Sequence, residues 1–433
     1  MKLSVIGCGY LGAVHAAAMA SIGHEVVGFD VDQDKITRLA AGEAPFYEPG
    51  FNDLLRESLA SGNLRFTTDP AALAGSTVHF IAVGTPQRED SDGADLRFVD
   101  AAVAGLIPHL APGDLVVGKS TVPVGTAQRL ADMVAPTGAM LAWNPEFLRE
   151  GFAVQDTLQP DRIVYGTAVR DGAEVEILDS VYAAALKSGI PRLVTDYATA
   201  ELVKVAANAF LATKISFINA MSEIADATGA DVTELADAIG HDVRIGRRFL
   251  NAGVGFGGGC LPKDIRAFAA RGEELGHGRA LRFLREVDEI NLRQRTRLVE
   301  LVEDALGGSV AGRRIAILGL AFKPNSDDTR DSPALDVATR LHGLGADVVS
   351  YDPEAVGTAR RARPHLVFAD SVESAVTGAE VTVVVTEWQQ FRDLDPESIA
   401  AIVAERRIID GRNCLDPEQW RSAGWTYRGL GRR

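Results

Sequence analysis

Short apolar runs alternate with amphipathic stretches in the first third of the chain. Residues 2–6 (KLSVI) predict a buried strand, AVHAAAMASIG predicts an alanine-rich helix, and EVVGFD predicts a second strand. The runs VHFIAV (78–83) and DLVVGKS (114–120) repeat the strand pattern. Strands that alternate with helices predict a parallel sheet covered by helices on both faces.

The middle of the chain has a helical pattern. From Tyr197 to Thr228 there is no Pro or Gly, which predicts one long helix, apolar on most sides and therefore buried. A second long helix is predicted over 279–306, where leucines and valines recur at steps of three and four among many charges. Together these helices form a natural surface for dimerisation.

A weak internal repeat marks the last third. GHEVVGFD (23–30) and GADVVSYD (345–352) share a pattern, and each follows a strand and a helix-like stretch. The sequence therefore predicts an α/β protein with two Rossmann-like, doubly wound parallel-sheet domains joined by a long central helix region. The expected domains are 1–196, 197–306, which is helical and dimerising, and 307–433.

Composition limits the classes of partner. The 433 residues carry a net charge of −15, which argues against a general binder of nucleic acid or anionic membranes. No run reaches the ~18 apolar residues of a membrane span. Three cysteines make no disulfide framework and suit the reducing cytoplasm. No metal site is expected.

A complete dinucleotide-binding pattern follows the first strand. Gly7, Gly9 and Gly12 form G-x-G-x-x-G, and Asp30 lies at the end of the next strand. The glycines permit a tight turn and close approach of the pyrophosphate, which the helix N-terminus attracts. An acid at the second strand binds the ribose hydroxyls and repels a 2′-phosphate, so NAD is predicted over NADP. The alternative is a glycine-rich turn in another α/β domain.

A second glycine-rich loop, NAGVGFGGGCLPKD, carries one of the cysteines. Pro262 suits the first turn of a helix, which predicts Cys260 at a helix N-terminus. That position favours the thiolate, and Lys263 adds positive charge. Asp264 lies one turn into the helix, where it can relay protons. The alternative is a packed cysteine in a glycine turn.

A reactive thiol beside NAD points to a particular oxidation. An aldehyde has no good hydride to give until a nucleophile adds to it. A thiolate makes a tetrahedral carbon, a second hydride transfer leaves a thioester, and water releases the acid. This pairing predicts oxidation of an alcohol to a carboxylate with two NAD.

Several polar residues are candidates to support that chemistry. Lys204 and Asn208 share a helix face among apolar neighbours, where a lysine can stabilise an oxyanion. Glu146 and Glu150 are also four apart, and one of them can serve as the base for water attack. Further candidates lie at the ends of predicted strands: Thr85 and Thr121 for the cofactor, and Lys323, Arg330 and Arg412 for phosphate or sugar. Solvated surface charge is the alternative for the cations and for the glutamate pair.

These motifs resemble the UDP-glucose 6-dehydrogenases, a group of nucleotide-sugar dehydrogenases. The resemblance extends over nearly the whole chain: VIGCGYLG, FYEPG, VGTP, STVPVGT, NPEFLREG, DRIVYG, the Lys204–Asn208 helix, RRFLNAGVGFGGGCLPKD and GLAFKPNSDDTRDSP. It implies conversion of UDP-glucose and two NAD to UDP-glucuronate by a homo-oligomer, a dimer or a multiple of dimers. It also implies that 1–196 binds NAD and that 307–433 binds the UDP-sugar. Polysaccharide biosynthesis is the implied destination of the product.

The resemblance also implies residue roles. Cys260 is the nucleophile, Lys204 and Asn208 stabilise the oxyanion, and Asp264 works with Lys204 on water and protons. Glu146 assists thioester hydrolysis, and Thr121 holds the water. The implied cofactor contacts are Gly7, Gly9, Tyr10, Leu11, Gly12, Asp30, Lys35, Thr85, Thr121, Glu150, Lys263 and Arg330. The implied substrate contacts are Phe147, Leu148, Arg149, Glu150, Lys204, Asn208, Arg244 (reaching across the dimer), Phe249, Leu250, Asn251, Gly253, Gly257, Lys323 and Arg412.

Two positions depart from the pattern of that group. Many members have GGSC where this chain has GGGC at 257–260, and some have lysine where this chain has Asn251. Neither change removes a reacting group. The second leaves open how the substrate phosphates are neutralised.

Three other functions remain open at this point. GDP-mannose dehydrogenases share the cysteine loop and its chemistry, and FYEPG and AFKPNSDDTRDSP favour UDP-glucose. A two-electron hydroxy-acid dehydrogenase needs no cysteine. A catalytically inactive nucleotide-sugar-binding protein has no need to keep Cys260, Lys204, Asn208 and Asp264 together.

Overall fold

The computed structural model describes residues 1–432 and divides into two compact units. Unit 1 comprises 1–207 and 270–276, and unit 2 comprises 208–269 and the chain from 277 onward. The expected three-domain division stays a prediction.

Unit 1 is built on an eight-stranded sheet of order β3-β2-β1-β4-β5-β6-β7-β8. Its strands in chain order, β1 to β8, are Lys2–Ile6, Glu25–Phe29, Leu64–Thr67, Val78–Ile81, Leu115–Gly118, Met140–Trp143, Ile163–Gly166 and Arg192–Thr195. All neighbours are parallel except β6 and β7, which meet in antiparallel fashion at Trp143 and Gly166. The first six positions have the order of a doubly wound dinucleotide-binding sheet.

Adjacent residues on the central strands enter different cores. Val5 and Phe80 pack on one face of the sheet, whereas Ile6 and Ile81 pack on the other. Since successive side chains of a strand point to opposite faces, both faces of this sheet are buried beneath helices. That burial explains why the strands read as continuous apolar runs.

Unit 2 contains a parallel six-stranded sheet of order β11-β10-β9-β12-β13-β14. Strands β9 to β14 are Arg314–Leu318, Asp347–Tyr351, Val367–Phe368, Val381–Val384, Arg407–Asp410 and Thr426–Gly429. This strand order matches the order β3-β2-β1-β4-β5-β6 in unit 1, which confirms the predicted second doubly wound domain.

The helices follow the strands in alternation. Helices α1 to α9 are Tyr10–Ser21, Gln33–Ala40, Phe51–Ala60, Arg97–Leu106, Thr126–Val134, Ala153–Leu158, Ala173–Val181, Ala183–Lys187 and Tyr197–Thr228. Helices α10 to α19 are Val232–Gly240, Leu261–Glu274, Gly278–Leu281, Phe283–Ala305, Pro333–Gly343, Val356–Ala362, Val372–Val376, Gln389–Arg392, Pro396–Ala400 and Pro417–Ser422. Short 3-10 turns occupy Pro70–Leu73, Ile107–His109 and Ala135–Thr137.

The two long helices differ in how well their sequence predicts them. α9 has the predicted bounds, but Phe210, Phe217 and Ile224 on it are exposed, so its burial is only partial. The stretch 279–306 is divided at Arg282 into α12 and α13. In the described part of the chain, no helix is both long and apolar enough to cross a membrane.

Candidate active site

The glycine loop after β1 has the geometry that a pyrophosphate requires. Gly7 has a φ of 92°, and a Cβ on Gly12 would lie 1.8 Å from the carbonyl oxygen of Gly7. Within residues 1–432, no neighbouring atom lies within 4 Å of a Cβ built on Gly9. Packing of the loop therefore requires glycine at positions 7 and 12. At Gly9 the backbone is open, beside the start of α1.

Asp30 lies beside this glycine loop and is hydrogen-bonded to it. Its Oδ2 accepts the backbone N–H of Cys8 at 2.8 Å and pairs with Lys35 Nζ at 2.8 Å. The loop and the end of β2 thereby hold the acid at the predicted ribose position. Cys8 itself is buried, and burial raises the pKa of its thiol far above the ordinary value, so it is not a nucleophile.

In unit 2 the acid that corresponds to Asp30 is Asp352, and its carboxylate accepts hydrogen bonds from the protein itself. Asp352 Oδ2 accepts the backbone N–H of Leu320 at 2.7 Å and of Ala321 at 3.0 Å, and the Trp388 indole N–H at 3.0 Å. Asp352 is 1% exposed. Its carboxylate therefore stabilises the loop after β9.

Cys260 lies at the mouth of the second glycine loop. It is exposed, and its carbonyl accepts the backbone N–H of Asp264 at 2.9 Å as the first bond of α11. The thiol therefore lies at a helix N-terminus, where the dipole favours a thiolate. Among the three cysteines, all within the described chain, the other two are buried or half-buried, and burial raises the pKa of Cys414 as well.

The glycines before Cys260 pack directly on the loop between β9 and α14. A Cβ on Gly257 would lie 2.3 Å from the carbonyl oxygen of Asp331, and a Cβ on Gly258 would lie 2.7 Å from the Phe322 ring. Gly258 also has a φ of 85°. The atoms nearest to a Cβ on Gly259 would be those of the Arg330 guanidinium, at 2.4–2.6 Å. The departure from GGSC thus falls at the one position of the three where a flexible side chain is the obstacle.

Asp264 is held in place from both sides. Asn208 Nδ2 donates to its Oδ2 at 2.7 Å, and Lys263 Nζ pairs with its Oδ1 at 2.6 Å. Asp264 is 2% exposed. The structure therefore brings three predicted residues, together with Cys260 one turn away, to the start of α11 in unit 2.

Lys204 lies one helical turn before Asn208 on α9 and is half-buried in unit 1. Its ammonium lies 5.6 Å from the ring centre of Phe147, and Arg162 lies 3.9 Å from the same ring. Lys204 is therefore a partly desolvated cation near an aromatic face.

Glu146 lies after β6, and all but one of the hydrogen-bond acceptor sites on its carboxylate are occupied. Its Oε1 accepts the backbone N–H of Phe147 at 2.8 Å and of Leu148 at 3.1 Å. Its Oε2 lies 3.0 Å from the ammonium of Lys119. Lys119 was not among the predicted site residues, because a lysine that ends an apolar strand is usually solvated.

The ends of β4 and β5 are joined by the two predicted threonines. Thr85 Oγ1 donates to the carbonyl oxygen of Thr121 at 2.7 Å. A second residue that was not predicted, Glu48 of FYEPG, accepts from the Tyr10 hydroxyl and from the backbone N–H groups of Gly151 and Ala153. Burial raises the pKa of Glu48. Glu48 connects the glycine loop to the segment that contains Glu150.

The predicted substrate residues of unit 2 have varied surroundings. Phe249 has a left-handed φ of 65°, and Arg244 is exposed and paired with Asp242. Asn251 Oδ1 accepts from Arg247 Nη1 at 2.7 Å, and Arg247 also pairs with Asp237. Leu250 and Gly253 are buried in the same segment.

The three predicted cations after the strands of unit 2 are engaged by the protein. Arg412 donates to the carbonyl oxygens of Val385, Gly255 and Phe322 at 2.8, 2.8 and 3.0 Å. Lys323 Nζ lies 5.4 Å from the Phe322 ring centre, and Arg330 pairs with Asp328. Arg412 therefore joins three loops, including the cysteine loop.

A doubly wound sheet with this glycine loop and acid is typical of a dinucleotide-binding domain. Three family models match the chain: the NAD binding domain of the UDP-glucose/GDP-mannose dehydrogenase family over 1–186, its central domain over 198–293 and its UDP binding domain over 316–417. The chain belongs to the UDP-glucose/GDP-mannose dehydrogenase family. NAD as cofactor and the enzyme class are confirmed.

Individual relatives match over their full length. A UDP-glucose 6-dehydrogenase of Rhizobium meliloti is 40% identical over 437 residues, covering 100% of both chains. A solved UDP-glucose dehydrogenase of Pyrobaculum islandicum has a TM-score of 0.91 and 39% identity, covering 100% of this chain and 98% of that one. A UDP-D-ManNAc dehydrogenase of Pyrococcus horikoshii has a TM-score of 0.86 and 29% identity, covering 100% and 99%.

Proposed function

We propose that the chain is a UDP-glucose 6-dehydrogenase that converts UDP-glucose to UDP-glucuronate with two NAD. The carrying observation is the exposed Cys260 at the N-terminus of α11, with Asp264 held by Asn208 and Lys263 one turn later. The family, and relatives such as the Rhizobium meliloti enzyme, support the substrate.

The first oxidation converts the C6 alcohol to an aldehyde. The Gly7–Gly12 loop and Asp30 would hold NAD, which supplies the hydride acceptor when bound, and each of the two oxidations uses one NAD. The hydroxyl proton leaves through water toward Lys204 and Asp264. A buried carboxylate held by Asn208 and Lys263 is suited to that proton transfer.

The second oxidation is covalent. The Cys260 thiolate adds to the aldehyde carbon, which forms a C–S bond and a tetrahedral oxyanion. Lys204 stabilises this charge together with the amide N–H of Asn208 that does not bond Asp264. Loss of the carbon-bound hydrogen as hydride then gives a thioester on Sγ.

Hydrolysis completes the cycle. Water adds to the thioester carbon, the C–S bond breaks, and the thiolate and the carboxylate product are released. Thr121 holds that water, and Glu146 takes a proton from it. The hydrogen bond from Thr85 to the Thr121 carbonyl supports this role because it fixes the backbone of Thr121.

The remaining predicted contacts bind the two nucleotides. On the cofactor side these are Tyr10, Leu11, Lys35, Thr85, Glu150, Lys263 and Arg330, and on the substrate side Phe147, Leu148, Arg149, Arg244, Phe249–Gly257, Lys323 and Arg412. Arg247, which is bonded to Asn251 and paired with Asp237, brings a guanidinium to that asparagine. The three free cysteines support a cytoplasmic location.

A second copy of the chain covers α9. Phe210, Phe217 and Ile224 recur every seven residues on this helix and are 66%, 48% and 58% exposed. Large apolar side chains aligned on one helical face are typical of a protein–protein contact. We therefore propose a homodimer or a multiple of it, with Arg244 directed to the neighbouring site.

The test is the yield of NADH per sugar consumed, with limiting sugar and excess NAD. Two NADH per UDP-glucose and none from GDP-mannose or UDP-ManNAc is the expected result. Yield from GDP-mannose or UDP-ManNAc alone would move the activity to another nucleotide sugar, and one NADH per sugar would contradict the covalent second oxidation. UDP-ManNAc is included because a UDP-D-ManNAc dehydrogenase shares the fold at a TM-score of 0.86.

A further inference from the structure

Lys119 is a buried lysine at the end of β5. The residue is 4% exposed, and its ammonium lies 3.0 Å from Glu146 Oε2, 3.0 Å from Asn144 Oδ1 and 3.4 Å from the Tyr182 hydroxyl. It lies about equally far from the ring centres of Phe80 and Tyr182, at 6.0 and 5.9 Å. A lysine is almost never this buried without a specific partner.

The other ionisable groups of this buried cluster stay neutral. Burial, with a smaller contribution from the Lys119 charge, lowers the pKa of His15 well below its ordinary value. Burial, together with the Glu146 charge, raises the pKa of Tyr182 well above its ordinary value. Lys119 and Glu146 are therefore the ion pair of the cluster, as desolvation requires of buried charges.

The contacts on Glu146 leave it a single direction for a further hydrogen bond. A carboxylate has about four acceptor sites, two on each oxygen. The N–H groups of Phe147 and Leu148 occupy Oε1, and Lys119 occupies one site of Oε2. The remaining site on Oε2 is the one that can accept a water proton, and Lys119 determines where it points.

We propose that Lys119 is a positioning residue for thioester hydrolysis, because it fixes the carboxylate of Glu146 toward the attacking water. The proposal rests on the proposed function, in which Glu146 receives the water proton. Lys119 touches neither substrate nor cofactor in this role. It acts after both hydride transfers, so its loss should slow one step and spare the earlier ones.

The test is rapid mixing of the Lys119→Met variant with excess UDP-glucose and NAD. We expect a burst of two NADH per subunit, followed by a steady-state rate lower by about 10²-fold, the loss that a misplacement of ~1 Å causes. Mass spectrometry of the quenched variant should show the acyl group on Cys260. The matched control is Lys187→Met, which removes an exposed lysine of unit 1 and should leave turnover unchanged.

The double variant separates positioning from folding. Lys119→Met leaves Glu146 without its cation, whereas Lys119→Met with Glu146→Gln removes both charges. If Lys119 acts through Glu146, the double variant and Glu146→Gln alone should turn over at the same rate within about threefold. This comparison decides the question even if the single lysine variant fails to fold.

Three outcomes would overturn the proposal: unchanged steady-state turnover in Lys119→Met, loss of the burst in a folded variant, or a further 10²-fold loss in the double variant. A wild-type enzyme that makes no NADH from UDP-glucose would instead overturn the proposed function.

Discussion

Single-glycine substitutions in the cysteine loop should distinguish a position where backbone conformation and packing require glycine from a position where a side chain fits. Gly258 has a φ of 85°, and a Cβ there would lie 2.7 Å from the Phe322 ring. A left-handed conformation costs a non-glycine residue about 1–2 kcal/mol, and overpacking costs about 1–3 kcal/mol. Gly258→Ala should therefore destabilise unit 2 by about 2–5 kcal/mol.

The control lies one residue further along. At Gly259 the obstacle is the mobile end of Arg330, so Gly259→Ala should change stability by less than about 1 kcal/mol in either direction. Gly259→Ser should also be tolerated, since Ser is the residue that many related sequences have.

The assay is urea unfolding followed by tryptophan fluorescence, with NADH turnover measured on the same samples. Three of the four tryptophans, Trp388, Trp420 and Trp425, lie in unit 2 and report on it. Gly258→Ala should lower both the unfolding midpoint and turnover, whereas Gly259→Ala should retain both. Equal losses from the two variants would refute the reasoning from loop packing.

Three further changes have distinct outcomes. Cys260→Ser should abolish formation of UDP-glucuronate yet keep UDP-glucose binding by calorimetry; unaffected turnover would exclude the thioester. Burial raises the pKa of Tyr197 to about 12, so its contribution to stability is full below the unfolded pKa near 10 and is lost as pH rises to about 12. Tyr197→Phe should thus reduce the alkaline loss of stability in urea titrations by up to about 3 kcal/mol, and an unchanged pH profile would contradict this. Phe217→Glu should shift the enzyme toward monomer in sedimentation velocity, whereas an unchanged oligomer would place the interface elsewhere.

Sequence patterns predicted the elements whose cause is local. α9 begins and ends where predicted because Tyr197–Thr228 contains no Gly or Pro, and Cys260 lies at the start of a helix because Pro262 follows it. The break at Arg282 was not predictable, since the apolar spacing continues on both sides. The antiparallel contact of β6 and β7 depends on tertiary packing and has no sequence signal.

The residues of the candidate site divide in the same way, into those with a local sequence pattern and those that depend on tertiary contacts. Cys260, Asn208 and Asp264 were predicted from a glycine loop and a helix spacing, and the structure brings them together in unit 2. Lys119 and Glu48 were missed, because partners that fix them lie far along the chain: Glu146 is 27 residues from Lys119, and Gly151 is 103 residues from Glu48. The Lys that follows an apolar strand in VVGKS and the acid in FYEPG are the signals that precede the structure.

The covalent step is the central claim, and the most direct measurement is the mass of Cys260 during turnover. Glu146→Gln should slow hydrolysis, so enzyme quenched after mixing with UDP-glucose and NAD should have an acyl group, and digestion should place it on the peptide with Cys260. An acyl group on that peptide, dependent on NAD and absent in Cys260→Ser, is the predicted result. Release of two NADH per sugar with no adduct on Cys260 at any time would contradict the account.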